Sequence, residues 1–139
     1  MRVAKTWNGL DFLARLDRAA GRSIVAIGVN VAVETKRITH KQSGTLARST
    51  HAAPRSANHN SDEGLAQAGD LMSMGGTPKA EHSEFGPAIE VGSWLPYACV
   101  EWVGRAHPGL QQGLEAVRGA RADAIVAQAF AEEGLAGRR

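Results

Sequence analysis

Ile24-Val25-Ala26-Ile27-Gly28-Val29-Asn30-Val31-Ala32-Val33 decides the fold, because it carries two hydrophobic periods at once. Val25, Ile27, Val29, Val31 and Val33 alternate with small or polar residues, the period of 2 of a strand. Leu13, Leu16, Ala20, Ile24, Ile27 and Val31 recur in steps of three and four, the period of a helix. Gly21 and Gly28 weaken the helix by about 1 kcal/mol each relative to alanine. Upstream, Asn8 is an acceptable N-cap and Asp11 falls in the first turn, where a carboxylate suits the helix dipole. A helix from residue 8 to about 40 leads, with a strand over 24–33 as its rival.

Working outward, Ser43-Gly44 punctuates the chain. Leu46 to about Ala57 reads as a strand, with Pro54 marking an edge or an end. Residues 57–86 hold few aliphatics and read as a long loop, a length that is usually functional or disordered. Leu71-Met72-Ser73-Met74 is an apolar anchor inside it. Ala88-Ile89-Glu90-Val91-Gly92 reads as an alternating strand. After Pro96, Tyr97 to Val103 forms a short strand or a single helical turn. Pro108 opens the last helix, whose apolar stripe is Leu110, Leu114, Val117, Ala124, Ile125 and Ala129. Gly134 fits its stop, and residues 135–139 read as a flexible tail. The expected fold is α+β: one domain over residues 1–139, with a small antiparallel sheet packed on one face by a long N-terminal and a C-terminal helix.

Composition limits the functions open to such a chain. The length of 139 residues suffices for one modest core, and at 5% aromatic content aliphatics and alanine must fill it. The N-terminus lacks the unbroken apolar run of a signal peptide, because Asn8, Asp11 and Arg15 intervene. The most apolar stretch, Ile24 to Val33, is far shorter than the roughly 20 residues of a membrane crossing. The lone Cys99 excludes an internal disulfide and a thiolate metal cluster. A cytoplasmic site of synthesis is expected. The net charge of +2 is a mild excess, with the arginines scattered among acids, so specific DNA recognition is disfavoured.

Catalytic chemistry finds little support. His40, His51, His59, His82 and His107 contain no pair at the close spacing of a zinc site. Cys99 has no activating neighbour and reads as an inert thiol. Gly75-Gly76-Thr77-Pro78-Lys79 lacks the order of a phosphate loop. Glu90 and Glu101 as an acid/base pair lack any supporting cleft signal. No cofactor or metal is expected. Trp94, Tyr97 and Trp102 form an aromatic cluster that reads as core packing, as a subunit contact, or as both. Arg48 and Arg55, an odd number of residues apart, fall on opposite faces of a regular strand; they are solvated arginines or phosphate contacts of a DNA channel.

Two motifs about fifty residues apart carry a resemblance. Ser43-Gly44, Leu46, Arg48 and Ser49 form the first; Tyr97-Ala98, Glu101 and Gly104 form the second, followed by Pro108, Leu110, Leu114 and Glu115. Their order resembles the small head–tail joining and tail-completion proteins of long-tailed bacteriophages and gene transfer agents. Two departures stand out. Glu101 comes one residue early, and Gly109, Gln112 and Gly113 replace the family's usual phenylalanine, proline and alanine.

The resemblance implies one long first helix and a non-enzymatic ring subunit of the virion neck, made in the bacterial host. It also implies contacts with copies of itself, with neighbouring connector, terminator or tail-tube proteins, and non-specifically with DNA in the lumen. No membrane partner is implied. The expected interface lies in residues 57–86 and in Ala88–Val103, with Leu71, Met72, Met74, Trp94, Tyr97, Glu101 and Trp102 as contacts. The alternative is a small basic nucleic-acid-associated protein; an uncharacterised hydrolase comes third.

Overall fold

A computed structural model describes residues 8–39, 45–54, 80–93, 95, 98, 101–102 and 107–135. Residues 24–33 lie within one helix, α1 (Gly9–Ile38), of 30 residues and about 45 Å. The Asn8 side chain caps its start, accepting from the Asp11 N–H at 3.3 Å. At its end the Thr39 N–H and hydroxyl both donate to the Thr35 carbonyl, at 2.8 and 2.6 Å. The strand reading fails because burial follows helical spacing. Val25, Gly28, Val31, Ala32 and Thr35 are buried, while Val33 is exposed. The polar residues of the stretch do not disturb the helix, because Ser23 and Asn30 donate back to the carbonyls of Ala19 and Ala26.

After α1 the chain forms a short helix, α2 (Thr45–Ser49), and then β1 (His51–Ala53). This corrects the expected strand over Leu46–Ala57 in its first half. The Ser49 and Thr50 hydroxyls donate to the Leu46 carbonyl at 2.9 and 3.0 Å, which holds a helical turn where a strand would need those groups in a ladder. Leu46 and Ala47 are buried by it, and β1 is buried throughout.

The expected loop over 57–86 is corrected at its C-terminal end. Glu81–Ser83 (β2) and Gly86–Ala88 (β3) pair antiparallel as a hairpin whose turn residues are Glu84 and Phe85. Gly86, at φ 107°, occupies a conformation that other residues avoid. The Ser83 hydroxyl closes the turn by donating to the Gly86 carbonyl at 2.8 Å. Residues 57–79 lie outside the described residues.

The expected strand over 88–92 is broken at Ile89. Glu90–Gly92 (β4) leaves the hairpin and pairs antiparallel with β1, placing Ala52 opposite Val91. The antiparallel set is therefore two two-stranded sheets, β1–β4 and β2–β3. Ala98, Glu101 and Trp102 are helical, so of the two readings of Tyr97–Val103 the described residues follow the helical turn.

The last helix is two helices, α3 (Gly109–Val117) and α4 (Ala120–Glu132). Gly119, at φ 87°, breaks them apart. Pro108 precedes α3, and its carbonyl accepts from the Gln112 N–H at 2.9 Å. Gly134, at φ 73°, ends α4. Its N–H donates to Ala131 and that of Leu135 to Phe130, the pattern of a Schellman stop. Leu135 is thus tied to the helix, contrary to the expected tail; residues 136–139 lie outside the described set.

The α+β expectation holds, with one refinement: both C-terminal helices pack chiefly on α1. The α1–α3 crossing is made by small residues. Gly109, Gly113 and Val117, four apart, form the buried face of α3. A Cβ on Gly113 would lie 2.9 Å from the Thr35 backbone nitrogen, and one on Gly109 3.0 Å from the Thr39 hydroxyl. Gly109 and Gly113 are thus the places where α3 touches α1.

The α1–α4 contact is electrostatic along its edges. The Arg121 guanidinium donates to Glu34 Oε1 at 2.9 Å and to Asn30 Oδ1 at 2.7 Å. At the other end Arg18 and Arg22 reach Glu133 at 3.2 and 3.3 Å. These pairings run α4 antiparallel to α1.

Candidate subunit interface

The helical stripe that settles α1 is not covered along its whole length. Leu13, Leu16, Ala20, Ile24, Ile27 and Val31 share one face of the helix. Only Val31 is fully buried; Leu13 and Leu16 are exposed, and so are the neighbouring Leu10 and Phe12. From Leu13 to Val31 the stripe is about 27 Å long at 1.5 Å per residue. With a helix width of about 10 Å it spans about 270 Å², just under the roughly 300–600 Å² of a typical monomer's largest apolar patch, and the exposed Leu10 and Phe12 extend it.

At its C-terminal end the stripe becomes the floor of a groove of about 670 Å³. Ile24, Ile27 and Val31 form the floor, Ile89 and Val91 one wall, and Trp102, Pro108, Leu110 and Leu114 the other. Among the described residues no charged side chain lines it. Three local features hold it open. The absence of a side chain on Gly28 lets Ile89 lie against α1, since a Cβ there would meet Ile89 Cγ2 at 2.7 Å. The glycine crossing holds α3 close to α1. Trp102 is wedged into a cluster with Leu46 and Ala98, packed by Leu95 and Leu110. Leu114, on the rim, is 53% exposed.

A second cavity of about 740 Å³ lies between α1, the hairpin and α4, with Val25, Val29, Ile125 and Ala129 among its apolar lining and Asp17, Arg18, Arg22, Glu81, His82 and Glu132 among its polar lining. Its polar groups are engaged with one another. Arg18 and Arg22 bind the carboxylates of Glu132 and Glu133. His82 Nε2 stands 3.8 Å from Asp17 Oδ2, both at the surface. Ser83, beside it, spends its hydroxyl on Gly86. Among the described residues no nucleophile is aligned to a base there. Among the described residues no cluster of three His, Cys, Asp or Glu could hold a metal, and no helix is long and apolar enough to cross a membrane.

One carboxyl is perturbed. Hydrogen bonds from Arg121, and then from Arg37, hold Glu34 below the ordinary glutamate range. Its role is to tie α1 to α4.

The expected contact residues divide. Trp102 lies in the groove wall and is 9% exposed, so core packing and groove lining coincide in it. Glu101 is half-buried beside it in the chain. Leu71, Met72, Met74, Trp94, Tyr97 and Arg55 lie outside the described residues, as does the Arg48 side chain. The Arg48 backbone is helical, so the strand-face argument does not apply to it.

Sequence reasoning missed Ile89, Val91 and Leu114 as groove walls, and Phe85 as an exposed hairpin tip. It found the α1 stripe but read it as a face packed by the sheet. Periodicity identifies an apolar face; it does not say which part of that face the rest of the chain leaves open. No protein-family model matches the chain, nor does any curated protein or solved structure.

Proposed function

We propose that this chain is a structural subunit of the neck of a long-tailed bacteriophage or gene transfer agent. It works as one member of a ring that joins head to tail or completes the head-proximal end of the tail. The observation that carries the reading is the uncovered apolar side of the molecule, from Leu13 along α1 into the groove beneath Leu114. A surface of that kind commonly marks a contact with another protein. The motif order around Ser43-Gly44 and Tyr97-Ala98 supplies the particular assembly. Its partners are other copies of itself and the neighbouring neck proteins, with DNA passing through the lumen.

A nucleic-acid-binding role is less well supported. Arg15, Arg18, Arg22, Arg37 and Arg121 each pair with a carboxylate of the same chain, so none of the five is held ready for phosphate. Leu114→Arg tests the assembly reading. Leu114 is half-exposed, so the variant folds with an unchanged melting temperature. In a host infected by a phage lacking its own copy, it fails to enter particles and yields unjoined heads and tails. Normal infectious particles from the variant would refute the reading.

A further inference from the structure

The chain carries a projecting apolar side chain that matches its own groove. Phe85 stands at the tip of the β2–β3 hairpin and is 94% exposed. Almost all of its ring faces solvent, yet an aromatic ring buries about 150–250 Å² when it finds a pocket. The tip is rigidly built: Ser83 bonds to the Gly86 carbonyl and accepts from the Phe85 N–H, so little freedom is lost on docking. Knob and groove lie at different places on the molecule. The hairpin runs beside the N-terminal half of α1, where His82 faces Asp17, and the groove lies along residues 24–31. Phe85 therefore does not fill the groove of its own chain.

Charge agrees with this pairing. Residues 80–93 hold three glutamates and no lysine or arginine. Glu84, next to Phe85, has no ion-pair partner among the described residues. On the groove side, Arg118 follows Leu114 by one helical turn, is exposed, and likewise has no partner among them. The nearby Glu115 is engaged by the Gln111 amide at 3.3 Å.

We propose that the hairpin tip of one copy seats in the apolar groove of the next, with Phe85 against Trp102 and Leu114 and Glu84 paired to Arg118. This rests on the ring reading and specifies its contact. Because knob and groove are different surfaces, repeating the contact generates a ring or filament rather than a closed dimer.

The test is a Phe85→Cys, Leu114→Cys double variant of the full chain, with Cys99→Ala removing the native thiol. Mild oxidation at high protein concentration is expected to give a ladder of dimer, trimer and larger species that collapses on reduction. Each single-cysteine variant is expected to give no disulfide-linked species. Phe85→Ala raises the concentration for half-assembly by about tenfold. Glu84→Arg and Arg118→Glu each weaken assembly, and the two together restore it. If the unmodified chain assembles but the double-cysteine variant gives no ladder and Phe85→Ala assembles normally, this contact is overturned and the ring reading stands. A dimer from Leu114→Cys alone also overturns it, in favour of a face-to-face contact. A chain that neither assembles nor enters particles overturns both.

Discussion

Replacing Gly113 by alanine probes the α1–α3 crossing on which the groove depends. The new Cβ would fall 2.9 Å from the Thr35 nitrogen and 3.1 Å from the Thr35 Cα. Backbone atoms of a long helix cannot rotate aside, so α3 must move off α1. Overpacking of this kind costs about 1–3 kcal/mol. The helix itself gains about 1 kcal/mol when alanine replaces glycine. The net loss is about 0–2 kcal/mol, which for a chain of this size lowers the melting temperature by up to about 8 °C. Gly21→Ala is the matched control. It also sits within a helix, but its Cβ would meet nothing within 4 Å. It receives the propensity gain alone and melts about 4 °C higher. Thermal unfolding followed by far-UV circular dichroism measures both. A Gly113→Ala protein raised in step with Gly21→Ala would refute the close crossing.

Other perturbations address the α1–α4 seam. Glu34→Gln removes the carboxylate that Arg121 and Arg37 hold below its ordinary range. The stability that Glu34 confers is fully present above the ordinary glutamate pKa and is lost as the pH falls through its lowered value. The variant is therefore less stable at neutral pH and loses less on acidification, as urea titrations across that range would show. A parallel acid response in both proteins would contradict the assignment. Glu133→Ala releases both Arg18 and Arg22, which are half-exposed. The expected loss is about 1 kcal/mol, shrinking as salt is raised; urea midpoints at low and high salt measure it, and a loss insensitive to salt would point to packing instead.

The parts of the fold that were legible in the sequence are those with local causes. The Asn8 cap, the step of three and four along α1, and Gly134 as a stop all act within a turn of helix. The helix-or-strand ambiguity of residues 24–33 is settled by tertiary burial, which follows helical spacing with Val25, Gly28, Val31 and Ala32 turned inward and Val33 exposed. Leu46–Ser49 became helical because Ser49 and Thr50 had a carbonyl within reach four or fewer residues back, a local choice that β-propensity does not register. The hairpin escaped notice because its strands are three residues each, too short for alternation to show. Gly109 and Gly113 were visible in the sequence, but their role lay in Thr39 and Thr35, at least 70 residues away.

The groove was legible least. Its floor came from the α1 stripe, but its walls are assembled from residues 89–91, 102 and 108–114 by the tertiary fold. The open side of α1 is what remains when short strands and two short helices cover only part of a 30-residue helix.

The central claim is that the uncovered side of α1 is a contact between copies in a ring. Electron cryomicroscopy of particles containing this chain tests it most directly. The expected result is a closed ring of the chain at the head–tail junction, with Ile24, Ile27 and Leu114 of each copy buried against the next. A neck map that lacks the chain, or a ring in which those three residues face solvent, would contradict it.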